Sequence, residues 1–323
     1  MRRGRARVWD DADVSVTDPV PAGHAAPSAH PAAPTTAAAR TGARSRDYGT
    51  RRGGHKPIAQ GLADPAWTRL AVAGVVPALL AATAPLPTWM RLALVVVLVP
   101  LAAQGWPALL RARHDPGSTA VITLTGVTAS VVVAVREDFG SAGVVMALSV
   151  LAAFVAQMVR RDGRENLVED LSSTVTGNLV VVCGAGWCAL EPGVADPSVM
   201  VPCALALLVG ALLTTLDVSA SSLEALTITV PALVAGIAGA VLAAVGFFGP
   251  LHVGTVPAVQ SGAACLLTGF VAGVLMSAGN RVLWTHRWVP GGRAAITSAL
   301  VPVLAVGGPV YVIARLMGSF LAG

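Results

Sequence analysis

The residues able to do chemistry in this chain fall into three clusters, and all three are better suited to recognising a charged group than to making or breaking bonds. The densest is Arg160 to Ser173, RRDGRENLVEDLSS, where Arg160, Arg161 and Arg164 stand beside Asp162, Glu165, Glu169 and Asp170. Planar guanidinium groups grip phosphate oxygens two at a time, so this stretch suits a lipid headgroup or a nucleotide. Its plainer reading is an ion-paired, solvated loop. Leu167 and Leu171, four residues apart, suggest a short helix lying at an interface. The second cluster, Asp217 to Glu224, DVSASSLE, sets three serines between two carboxylates. Asp217 is its one candidate catalytic group, and Ser222 can equally cap a following helix. The third is the basic stretch that carries Asn280, Arg281 and Arg293, again a candidate headgroup site.

Other chemistries lack their residues. Cys183, Cys188, Cys203 and Cys265 show no Cys-x-x-Cys or Cys/His spacing, so no structural zinc site is expected. Cys188 and Cys203 flank one loop, where either a disulfide or two buried thiols is possible. The six histidines are scattered. Neither a Gly-x-Ser-x-Gly elbow nor a Walker-type glycine loop is present. No metal site and no resident cofactor are expected.

These clusters must be held by membrane helices. Of 323 residues, 54% are hydrophobic and 12% charged, and the mean hydropathy is +0.70. Soluble domains carry about a quarter charged residues. Residues 1–66 hold ten Lys/Arg, six Asp/Glu and an Ala/Pro/Thr run from Ala25 to Ala39. Such a segment cannot bury enough apolar surface to fold alone. It is expected to be a disordered, basic cytoplasmic tail that helps set orientation, with no nucleic-acid partner. Asp10, Asp11, Asp13 and Asp18 stand where a signal peptide needs its apolar run. Residues 67–323 form the membrane domain.

Crossing ~30 Å of hydrocarbon takes ~20 apolar residues in a helix. Nine windows qualify: Thr68–Leu86, Met90–Leu110, Ser118–Val135, Ser141–Val159, Ser173–Leu190, Ser198–Leu216, Leu226–Phe248, Ala258–Ala278 and Ala295–Met317. The third and fifth are the weakest. With the N-terminus inside, 18 Lys/Arg fall in inner segments and 3 in outer ones, with Arg69 at a boundary left uncounted. That asymmetry is the positive-inside pattern. The expected fold is therefore all-α, a polytopic transmembrane helical bundle of about nine spans in the cytoplasmic (inner) membrane, with the C-terminus outside.

Helices in lipid associate through small residues that let backbones approach. Gly236 and Gly239 in the seventh window, and Gly262, Gly269 and Gly273 in the eighth, form such stripes. They are expected to make contacts within the bundle. Pro302 and the run Gly307-Gly308-Pro309 should kink or break the ninth helix. Every Asp and Glu lies at a span end or in a loop, and none follows Glu224. A proton-coupled transporter usually needs an intramembrane carboxylate or histidine, so ion coupling is disfavoured.

The layout resembles the bacterial phosphatidate cytidylyltransferases, which transfer CMP from CTP to phosphatidic acid. The loop RRDGRENLVEDLSSTVTG is similar to that family's basic loop, Asp217 in LDVSAS falls where the family carries an Asp at a helix end, and GNRVLWTHRWVPGGRAAITSALVPVLAVGGPVYV follows the order of its signature. The resemblance covers roughly residues 68–317. It implies a Mg²⁺-dependent lipid nucleotidyltransferase with Asp217 at its centre. Several of the family's acidic and histidine positions are replaced here. Gly279-Asn280 stands for Gly-Asp, Pro290-Gly291-Gly292 lacks the His, and Ala294 to Ser298 has no carboxylate. Divalent metal is held through carboxylates and phosphates, so the expectation is a relative that kept the scaffold and lost the metal chemistry. The leading expectation is a membrane protein without catalysis that binds lipid or supports a membrane-protein partner. A cytidylyltransferase is the first alternative and a transporter or flippase the second.

Overall fold

The computed structural model describes residues 65–110, 116–159, 167–192, 195–216, 219–248, 255–285 and 291–321. All lie in one compact unit, Lys56–Gly323. Among them there are nine α-helices and no strand: α1 (Pro65–Thr83), α2 (Thr88–Leu109), α3 (Pro116–Arg136), α4 (Gly140–Val159), α5 (Leu167–Gly184), α6 (Met200–Leu213), α7 (Ala220–Ala244), α8 (Thr255–Thr285) and α9 (Gly291–Leu321). Each of the nine apolar windows corresponds to one helix. Seven are long and apolar enough to cross a membrane.

The two shorter ones are the first and sixth, not the third and fifth. Pro85 and Pro87 follow α1 and stop it at Thr83. Before α6 the chain makes a 3₁₀ turn, Pro197–Val199, capped by Asp196, whose carboxylate accepts from the Ser198 N–H at 2.8 Å. After α6 it turns again at Thr214–Leu216. The fifth window gains length because α5 runs on into a 3₁₀ segment, Ala185–Ala189, buried throughout.

The innermost helix is α9, with 67% of its apolar window buried; α4, at 22%, is the most peripheral of the seven. α9 packs against α1, α2, α5 and α8. It runs unbroken past Pro302 and Pro309, so of the two expected outcomes, a kink or a break, the break does not occur. Close packing holds it there. The Trp187 indole N–H donates to the Val303 carbonyl at 2.9 Å, and Gly186 meets the Gly307–Gly308 backbone so closely that a methyl group on either side would collide. Outward-facing Leu148, Leu151 and Val155 leave α4 an apolar outer face.

The tightest seam joins α7 and α8. A Cβ placed on Gly269 would lie 2.6 Å from the Pro231 carbonyl oxygen, and one on Gly273 would lie 2.5 Å from that of Thr227. The glycine stripes therefore serve contacts inside the bundle, as expected. At the start of α7 the cap is Ser219, whose Oγ accepts from the Ser222 N–H at 3.4 Å. Ser222 is thus the capped residue and not the cap.

Gly273→Ala is expected to destabilise the bundle by about 1–3 kcal/mol through overpacking. Gly143→Ala in α4, where an added Cβ meets nothing within 4 Å, should be neutral. Unfolding in detergent compares the two, and equal midpoints would refute the seam.

Candidate functional site

Four of the residues singled out in the sequence, Arg160, Arg161, Arg164 and Asp217, lie outside the described residues. The other three are placed at one end of the bundle and do not act together. Arg293 is exposed on the first turn of α9. Arg281, exposed on α8, forms an ion pair with Glu224 of α7. Asn280 points inward and is 7% exposed.

Asn280 meets a residue that sequence reasoning left uncounted. Arg69, half-buried on the second turn of α1, donates from Nη2 to Asn280 Oδ1 at 2.6 Å. A guanidinium has only donors, so the carboxamide must turn its oxygen toward it. That leaves Asn280 Nδ2 buried with no hydrogen-bond partner. No carboxylate pairs with Arg69 among the described residues. An arginine one turn inside a span ordinarily lets its charged head reach the interface along a long stem; here the head is held over a cavity.

That cavity, of about 300 Å³, lies between α1, α6, α8 and α9. Leu70, Ala73, Ala211, Met276, Ala299 and Pro302 form its apolar wall. Arg69, Thr214, Thr215 and Ser298 form the polar part. All three hydroxyls donate to carbonyls of their own chain segment at 2.7 Å, Thr214 to Ala211, Thr215 to Leu212 and Ser298 to Ala295. Their oxygens keep lone pairs to offer a ligand. The one formal charge in the described lining is that of Arg69. Such a lining does not fit a divalent cation, which needs carboxylates. Among the described residues no group of three His, Cys, Asp or Glu can hold a metal.

Two further buried polar features were not visible in the sequence. Arg91, 1% exposed near the start of α2, donates to the Leu190 carbonyl at 2.8 Å and to Thr88 Oγ1 at 2.9 Å, with Nε and Nη1 unpaired. Asp170, expected in a solvated loop, is 7% exposed on the first turn of α5 and opens an i, i+4 stripe with Thr174 and Asn178. The stripe faces α3 and α4: Thr174 donates to Ser118 Oγ at 2.9 Å, and Asn178 donates to the Ser149 carbonyl at 3.4 Å. Leu167 and Leu171 belong to this same helix and not to a separate interfacial one.

No protein-family model, curated protein or solved structure matches this chain.

All four cysteines are free, with Cys188, Cys203 and Cys265 buried and Cys183 partly so. In a Cys183→Ser protein, a thiol-specific maleimide is therefore expected to label three sites only after denaturation. Labelling of the folded protein would show that the bundle opens at these positions.

Proposed function

We propose that this chain is a nine-span protein of the cytoplasmic membrane, with its N-terminal segment and the Arg69 end of the bundle inside, that binds membrane lipid in the cleft without acting on it. It can serve as a support for a membrane-protein partner on the same terms. The observation that carries this reading is the cleft itself. An apolar wall ending in one arginine and three hydroxyls is the complement of an amphiphile, with a chain on one side and a polar head on the other.

Nine crossings accord with helix length. The apolar parts of α1 and of the α6 region, Trp67–Thr83 and Pro197–Leu213, each reach about 26 Å at ~1.5 Å per residue, close to the ~30 Å of hydrocarbon. An odd number of crossings puts the two chain ends on opposite sides. A reporter fused after Gly323 is therefore expected to be active outside the cell. Activity on the cytoplasmic side would overturn the combination of nine crossings with an inside N-terminus.

Phosphatidate cytidylyltransfer is kept as a second reading, because two of the three segments that carry that resemblance come together. Thr215, two residues before Asp217, lines the cleft beside Gly279, and the ion pair of Glu224 with Arg281 ties the start of α7 to the end of α8. The deciding experiment incubates purified protein with CTP, phosphatidic acid and Mg²⁺ while mass spectrometry identifies co-purified lipid. Bound lipid with no product is expected. Product formation that is lost in Asp217→Asn would replace the leading reading with an enzyme.

A further inference from the structure

We infer that the cleft is a receptor for a phosphate ester that carries free hydroxyls, held by Arg69 with Asn280 as its positioning residue. This names the ligand class of the site proposed above and rests on that reading only for the lipid as the source of the ester.

The argument starts from charge. Arg69 brings one positive charge to a half-buried position, and the side chain it bonds, Asn280, is neutral. A carboxylate at position 280 would have formed an ion pair and silenced the guanidinium; a carboxamide fixes its direction and leaves its charge uncompensated. Uncompensated charge in a partly apolar site favours an anion over water more strongly than it does at an exposed surface. Asn280 itself adds a buried N–H donor without an acceptor, on the other branch of the same carboxamide. Arg69 therefore has a hydrogen-bond acceptor but no counter-charge, and an oxyanion in the cleft supplies one.

The hydroxyls add a second requirement. Because Thr214, Thr215 and Ser298 already spend their protons on backbone carbonyls, what they present is acceptor oxygen. A bare phosphate dianion has no donor to match them, and a choline headgroup has neither donors nor net charge. A glycerol-type substituent on a phosphate diester supplies both the anion and the donors, and it is of a size for a cavity of about 300 Å³.

The test uses the full-length protein in neutral detergent, titrated separately with dioleoylphosphatidylglycerol, dioleoylphosphatidylcholine, diolein and sn-glycerol 3-phosphate, with affinity read by native mass spectrometry. Tightest binding is expected for phosphatidylglycerol. Asn280→Asp keeps an oxygen in front of Arg69 but neutralises it, and should weaken that binding about tenfold, the size of one charge-assisted hydrogen bond. Ser298→Ala should narrow the preference over phosphatidylcholine. Arg315→Gln, about 25 Å along α9 from Ser298, should change neither, and its melting temperature together with that of Asn280→Asp reports folding. Phosphatidylcholine or diolein binding as tightly as phosphatidylglycerol overturns the inference while leaving lipid binding in place. Unchanged affinity in a folded Asn280→Asp protein also overturns it. Glycerol 3-phosphate bound in the absence of any lipid binding upholds the ester but removes the lipid reading.

Discussion

Backbone approach, more than apolar burial, sets the architecture of this bundle. In hydrocarbon, a leucine gains nothing by leaving lipid for a neighbouring helix, so helices must be held by contacts that lipid cannot replace. Here those contacts are made where side chains vanish. Gly269 and Gly273 let α8 ride directly on the carbonyls of α7, and Gly186, Gly307 and Gly308 let the end of α5 cross α9 backbone to backbone. The second crossing also braces a helix with two internal prolines. Each proline removes a donor and pushes on a carbonyl, and between them the buried Trp187 indole ties the Val303 carbonyl of α9 to the segment after α5. The polar cleft lies between α9, fixed in this way, and α1, α6 and α8.

Within so apolar a frame the buried polar groups stand out as a cost that the fold carries. Arg91 satisfies two acceptors and leaves two nitrogens unpaired; Asn178, fully buried, leaves Oδ1 unpaired. An unpaired buried polar atom costs about 1–3 kcal/mol. Their positions differ in kind from that of Arg69. Arg91 reaches across to the buried turn after α5 and joins it to α2, and the Asp170–Thr174–Asn178 stripe is wrapped on two sides by α3 and α4. Arg69 borders open space, with the buried Asn280 behind it.

Much of the fold was legible, and the reasons are physical. Apolar windows of helical length have few alternatives in a membrane, so all nine emerged as helices, and glycine spacing on one helical face disclosed the α7–α8 seam. Where helices end was harder to see. The truncation of α6 follows from the Asp196 cap and the turn at Thr214–Leu216, which hydropathy alone does not register. The site was legible in half. Asn280 stood out as a polar residue in place of an acid, but its partner lies 211 residues away, and no local spacing encodes such a pairing. Asp170 was hidden differently, because its charged neighbours in sequence made a buried acid look like part of a wet loop.

The brevity of α6 bears on the membrane itself. A bilayer meeting a span a few ångströms shorter than its hydrocarbon core thins locally rather than expose apolar chains or bury headgroups. On the proposed reading of α6 as a span, and because α6 contributes one wall of the cleft, such a dimple would fall beside the cavity. Headgroups there would ride nearer the level of Arg69, and a lipid bound in the cleft would need little lifting out of its leaflet.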